Sequence, residues 1–309
     1  MPKSKSTPEP TVPSYPSLTR LAEALSLRSL AKRTVEDYLR YLRKLGSWAQ
    51  ADPACLDEAR VRQHLLHLKG ERRYSASSMR CACAAITFFY RHVVGVEWRL
   101  FDLVRSPERQ KLPLVLSRAD VARLLAAVRE IRFQVFLLLV YCCGLRLGEA
   151  LRLEVTDIKA DRKLLLVRLG KGGKDRYVPL PDMLVPILRR WWRTHKHPRL
   201  IFPALGSGWR DLTPGRAAQA KEHMSESTVQ HCMKLVVATA GLPQNVTPHT
   251  LRHSYATHLL EDGVSLKQIS QFLGHNSIET TVIYTHVTSV SEEKAFKAVN
   301  QLPPPIAPL

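Results

Sequence analysis

Apolar residues in the first hundred positions recur at helical spacing. Val35, Tyr38, Leu39, Leu42 and Leu45 mark one helix, Val61, Leu65 and Leu68 a second, and Met79, Ala82, Cys83, Ile86, Phe89, Tyr90 and Val93 a third. Between Leu103 and Leu116 the period breaks into a charged, proline-punctuated stretch, Arg105 to Pro113, as expected of a linker between independently packed units. Beyond it, Ser117 to Asp120 opens a helix, and a continuous apolar run from Phe133 to Cys143 stops at Gly144. Two strands follow, Leu164 to Leu169 and Arg176 to Leu180, around the glycine-rich tip Gly170 to Asp175; from there the helical period returns, with one start near Ser225. The ends carry prolines and no period. The expected organisation is a flexible tail over 1–16, a helical domain over 17–104, a linker over 105–112, a second domain over 113–300 and a second tail over 301–309.

Composition narrows the class. At 45% hydrophobic and 24% charged residues, the chain is an ordinary globular one, and its 309 residues allow two cores. Lys and Arg number 46 against 27 Asp and Glu, a net charge of +19, which points to nucleic acid or to an anionic membrane surface. No stretch approaches the roughly 20 apolar residues of a membrane span. The proline-rich start lacks the apolar core of a secretion signal, so a soluble, cytoplasmic protein is expected. A membrane-surface role would also need a segment with a large apolar face, which is missing. Six cysteines form neither a disulfide framework nor a zinc pattern; Cys81-Ala82-Cys83 and Cys142-Cys143 read as buried small apolar residues.

The most informative stretch is Thr247-Pro248-His249-Thr250-Leu251-Arg252-His253. Thr247 suits an N-cap and Pro248 the first helical position, which places His249 and Arg252 three apart near the start of a helix. Unpaired N–H groups, the positive end of the helix dipole and a forked guanidinium make such a place a phosphate site, where an imidazole can move a proton. Taken alone, the same residues describe a capped surface helix. Further on, Ser265 to Gln268 is a capping box, Gly274 closes the next helix, His275 follows that stop, and Tyr284 lies nine residues beyond in a β-branched run. That run has weak helix propensity and would suit a segment that moves; its plain alternative is a packed aromatic.

Gly144-Leu145-Arg146 with Glu149, the hairpin Gly170-Lys171-Gly172, Pro248 to His253, Leu273-Gly274-His275 and Tyr284-Thr285-His286 together resemble the ordered boxes of the tyrosine recombinases, the phage integrase and Xer-type family. The resemblance covers nearly the whole second domain, and the helical first part is similar to that family's core-binding domain. It implies a mainly α fold with a small β-sheet: a two-domain, C-shaped clamp of a helical SAM-like core-binding domain and an α+β catalytic domain. It also implies a site-specific DNA recombinase. Tyr284 would attack the scissile phosphate to give a 3′-phosphotyrosyl link, and Arg146 and Arg252 would grip the non-bridging oxygens. Lys171 would protonate the 5′-hydroxyl, His249 would assist proton transfer, and His275 would hydrogen-bond the phosphate. The covalent link conserves the bond's energy, so neither ATP nor a metal cofactor is implied; the arginines stand where a two-metal nuclease holds its ions.

The implied partners are double-stranded DNA and three further copies of the chain, in a homotetramer on paired sites. The run Val290 to Val299 resembles the C-terminal helix that docks into a neighbouring subunit. The insertion between Pro203 and Ser225 is reminiscent of integron integrases, which engage folded single-stranded sites. Integration for a mobile element is the preferred subtype, with Xer-like dimer resolution as the alternative. A non-catalytic DNA clamp and a relaxing topoisomerase of the IB type are competing classes. Arg72, Arg73, Arg80 and Arg91 are candidate phosphate contacts in the first domain. Trp191-Trp192 among Arg189, Arg190 and Arg193 fits either a DNA-facing helix or half-buried tryptophans with exposed arginines.

Overall fold

The computed structural model describes residues 15–28, 30, 32–103, 112–168, 175–204, 218–275 and 277–285. The chain divides into two compact units, residues 1–110 and 111–309. The two expected tails fall outside the described residues except Tyr15 and Pro16, and so do nearly all of the linker, Lys171 with the hairpin tip, residues 205–217 of the insertion, and Val290 to Val299.

The first unit is helical: α1 (Pro16–Ser26), α2 (Lys32–Ala49), α3 (Glu58–Gly70), α4 (Ala76–Phe89) and the short α5 (Leu100–Leu103). Leu21, Leu25, Leu42, Leu45, Ile86 and Phe89 are at its centre and almost wholly buried. Asp52 ties two elements together, accepting from Ala54 N at 2.9 Å as a cap and from Ser17 N at 3.2 Å at the start of α1. Helix α1 was not foreseen because its start, Pro16, closes a proline-rich stretch and only Leu18, Leu21 and Leu25 carry the period. Pro16 itself occupies the first helical position, where its missing N–H costs nothing. One expectation about the cysteines fails: Cys81 is exposed, on the solvent side of α4, while Cys143 is buried as expected; all six are free.

In the second unit α6 (Arg118–Ala126) starts at its cap Ser117, whose hydroxyl accepts from Asp120 N at 3.1 Å. Helix α7 (Ile131–Cys143) is apolar on nearly every side and runs through the core, packed on α9 (Leu184–His195) and α11 (Pro248–Glu261). It ends at Gly144 with φ +60°, where a Cβ would also overlap the Tyr255 ring. The chain then turns straight into α8 (Leu147–Leu151). The sheet is antiparallel, β1 (Ile158–Lys159), β2 (Leu164–Val167) and β3 (Arg176–Pro179), with Leu165 opposite Val178 and Val167 opposite Arg176. Two of these strands were expected, each somewhat longer; β1 is two residues, too short for a period to register.

Helices α10 (Glu226–Thr239), α11, α12 (Leu266–Leu273) and α13 (Glu279–Val282) complete the unit. Their expected starts hold: Ser225 caps α10, Thr247 precedes α11 with Pro248 in its first position, and Ser265 caps α12, which Gly274 ends. Trp191 is buried and donates to Ile201 O at 2.7 Å, and half-buried Trp192 donates to His197 O at 2.9 Å; Arg189, Arg190 and Arg193 are exposed. That is the packed alternative for this pair. A second, smaller cluster of Tyr255, Ala256, Ile269, Leu273 and Tyr284 joins α11, α12 and the turn after α13. Among the described residues no helix is long and apolar enough to cross a membrane.

Candidate active site

Three guanidinium groups are set against one carboxylate. Glu149, on α8, is buried, and its two oxygens meet Arg176 from β3 in a fork, Nη1 to Oε1 at 2.9 Å and Nη2 to Oε2 at 2.8 Å. Arg146, just before α8, donates from Nη1 to Oε1 at 2.7 Å and from its backbone N to Oε2 at 2.8 Å, which also caps the helix. Arg252, on α11, brings Nη1 to 3.7 Å from Oε2. Burial by itself would raise the Glu149 pKa, but the Arg176 fork, its charge and the Arg146 bonds outweigh it and hold the carboxyl at about 2.

Arg252 is 4% exposed at its side chain, not the surface arginine that helical spacing suggests. Its fork is aimed by two helix C-termini: Nη1 donates to Gly144 O at 2.7 Å, behind α7, and Nη2 to Leu273 O at 2.6 Å, at the end of α12. Arg146 reaches the same second terminus, Nη2 to Gly274 O at 3.2 Å. The carbonyls left unpaired at a helix end are the natural acceptors for a cation. Burial, then the neighbouring Arg146, pull the Arg252 pKa down to about 9. The guanidiniums carry three positive charges against one negative, so the cluster keeps a net charge of two in a place where water screens poorly. A cluster with that surplus of charge can attract a small oxyanion.

Histidines line the same centre. His249 is exposed in the first turn of α11; partial desolvation, then Arg252 and Arg146, lower its pKa below the usual histidine range. His275 follows the end of α12 and hydrogen-bonds Thr281 Oγ1 through Nδ1 at 2.8 Å. Burial, then Arg252 and Arg146, bring its pKa to about 4, so the ring is neutral at pH 7. Tyr284 is 1% exposed. Its hydroxyl is hydrogen-bonded to His253 Nδ1 at 2.9 Å, and its N–H donates to Thr281 O at 3.1 Å. Burial raises the Tyr284 pKa, with Arg252 and Arg146 pulling the other way. The phenol is therefore stored in its protonated form, packed in the small cluster with Tyr255 and Leu273.

Of the six residues singled out in the sequence, five come together here: Arg146, His249, Arg252, His275 and Tyr284. Lys171 lies outside the described residues. Two participants were missed. Arg176 reads in the sequence as the first residue of a strand, and nothing in its spacing announces an inward fork. His253 was visible inside the stretch from Pro248, but its partner is 31 positions away. Among the described residues no group of three or more His, Cys, Asp or Glu side chains is arranged to hold a metal ion.

Comparison with known proteins gives a family for each unit. The model described as "Phage integrase family" matches residues 115–290, and "Phage integrase, N-terminal SAM-like domain" matches residues 18–100. A protein of Escherichia coli named integrase/recombinase is 32% identical over 333 aligned positions, spanning 98% of each chain. Tyrosine recombinase XerA of Thermococcus kodakarensis is 33% identical over 273 positions, 88% of this chain and 90% of its own. Among solved structures, a lambda integrase dimer bound to a COC′ core site aligns with a TM-score of 0.68 at 18% identity, covering 87% of this chain and 93% of that one; this likeness bears on the fold.

Proposed function

Since the chain belongs to the phage integrase family of DNA cleaving and rejoining enzymes, we propose that its second unit cuts a DNA strand with Tyr284 as nucleophile, Arg146 and Arg252 holding the non-bridging oxygens of the scissile phosphate. The single observation that carries this reading is the convergence of those two arginines on Glu149 beside a buried tyrosine. Tyr284 Oη attacks phosphorus, its proton passing to a neighbouring base, and the bond to the 5′ oxygen breaks. The product is a 3′-phosphotyrosyl link and a free 5′-hydroxyl. Lys171 protonates that oxygen, His249 assists the proton transfer, and His275 hydrogen-bonds the phosphate. The negative charge that accumulates on the equatorial oxygens meets donors already fixed by backbone carbonyls and Glu149, so little reorganisation is required at the moment of reaction. His253 Nδ1 is hydrogen-bonded to the attacking oxygen and holds the phenol in place before the turn carrying Tyr284 moves to the phosphate.

The 5′-hydroxyl of another strand can then attack the phosphotyrosine in the reverse sense. This reading makes the protein a recombinase acting as a homotetramer on paired duplex sites, with the exposed Arg72, Arg73, Arg80 and Arg91 of the first unit contacting DNA backbone. Integration for a mobile element is the preferred context. Xer-like dimer resolution is the second reading, favoured by the likeness to XerA. The deciding experiment incubates the protein with nicked duplexes from the DNA flanking its own gene and looks for an SDS-resistant adduct. Wild type is expected to form one and Tyr284→Phe none; an adduct that survives Tyr284→Phe assigns the nucleophile elsewhere.

A further inference from the structure

Arg176 is the one guanidinium of the three that the reaction as written does not use. It enters the site from β3, and all of its side-chain nitrogens are committed: Nε donates to Phe272 O at 2.8 Å, while Nη1 and Nη2 hold the two oxygens of Glu149. Its side chain is 11% exposed. Three of its five N–H donors are taken in these bonds, and its two Nη atoms form their fork on Glu149. The α12 terminus closes over it. A Cβ at Gly274, where φ is +63°, would lie 2.9 Å from Arg176 Cδ and 3.0 Å from its Nε, so the backbone passes against this arginine only as glycine.

Glu149 is needed where it is, because it caps α8 and aims Arg146. A lone carboxylate among only two arginines would nevertheless cancel half their charge and draw both forks inward, away from a substrate. A bidentate guanidinium partner is the strongest that a carboxylate takes. We propose that Arg176 is a positioning residue, the dedicated counter-ion of Glu149, which lets that carboxylate orient Arg146 and Arg252 without neutralising them. Through Phe272 O it also fixes the turn that presents His275. The inference rests on reading Arg146 and Arg252 as the phosphate's ligands.

The test measures strand cleavage by the full chain on a nicked duplex containing the cut mapped through the Tyr284 adduct. Its scissile group is either the natural phosphate or a methylphosphonate, in which a methyl group replaces one non-bridging oxygen and removes the negative charge. Arg176→Met is expected to slow cleavage of the phosphate by roughly 10- to 100-fold and of the methylphosphonate by no more than about threefold, because only the charged group needs the full positive field. Arg176→Lys, which keeps the charge and loses the fork, falls between. Adding Glu149→Gln to Arg176→Met restores a local charge of two, and Gln still accepts from the Arg146 backbone; the double variant is expected to cleave the phosphate at least about threefold faster than Arg176→Met. Equal losses on both substrates, with the second substitution making matters worse, overturn the proposal and leave Arg176 a part of the fold alone. If Arg176→Met melts below the assay temperature, Arg176→Gln carries the same comparison, since it keeps a donor and drops the charge. Arg252→Met separates the two levels. Its loss must also narrow on the methylphosphonate; if it does not, the phosphate-grip reading falls and this inference falls with it. If Arg252→Met narrows and Arg176→Met does not, the inference alone fails.

Discussion

Glu149 shows what a single buried carboxylate does when several guanidiniums face it. Its folded pKa of about 2 lies below the ordinary 4.5, so the unfolded chain binds its proton more readily, and the stability it contributes is present above pH ~4.5 and lost as pH falls through about 2. Glu149→Gln removes that contribution and leaves three arginines without a counter-ion. The variant is therefore expected to melt well below wild type at pH 7, and the gap in Tm is expected to narrow as both are taken from pH 5 towards pH 2.5. Thermal scans at a series of pH values check this; a gap that stays constant would mean that the carboxylate is not charged in the fold. The same arithmetic explains why Arg252 tolerates burial. Its charge is answered by Gly144 O, Leu273 O and Glu149, so the desolvation that lowers its pKa to about 9 still leaves it protonated at pH 7.

At the level of elements, the site is a meeting of helix ends. The end of α7, the start of α8, the start of α11 and the end of α12 supply it, and α13 with the following turn delivers Tyr284. Among the described residues, that last segment is tied to its surroundings chiefly by the His253 to Tyr284 and His275 to Thr281 bonds and the small apolar cluster. His253→Phe keeps a ring of similar size and leaves the Tyr284 hydroxyl without its partner. A lost hydrogen bond of about 1 kcal/mol predicts roughly fivefold faster amide exchange over residues 281–285, with the middle of α11 unchanged. Unaltered exchange in that segment would show that packing alone stores the tyrosine. Helix ends are also what the sequence displays best. Ser117, Gly144, Thr247 with Pro248, Ser265 and Gly274 are local signals, and each marks its boundary in the structure. Long-range partnerships leave no such trace. Arg176 finds Glu149 and Phe272 at separations of 27 and 96 residues, and Arg252 reads as a surface residue until the ends of α7 and α12 close around it. Helix α1 was hidden for a different reason: three leucines on one face are too few to outweigh the prolines before them.

Across the whole molecule, the positive charge is shared. Residues 1–110 carry 19 Lys and Arg against 11 Asp and Glu, a net +8, and residues 111–309 carry 27 against 16, a net +11. Each unit has its own core and its own excess of cations, so neither depends on the other to attract a polyanion. Many of these charges, Arg72, Arg73, Arg190 and Arg193 among them, are exposed on helices or in the loops between them rather than gathered around Glu149. Binding to duplex DNA is then expected to be dominated by counter-ion release and to be nearly independent of the chemistry. With six to ten phosphates neutralised, raising salt from about 50 to about 200 mM is expected to weaken binding to a random duplex by roughly 10³-fold or more. Tyr284→Phe is expected to follow the same line, because a buried phenol makes no part of that contact. A fluorescence-anisotropy titration at several salt concentrations measures both. A shallow slope would mean that few of the cations behind the net +19 reach DNA phosphates, and that the arginine cluster at Glu149 must supply affinity as well as catalysis; a steep slope shared by both proteins leaves that cluster free to act on a single phosphate.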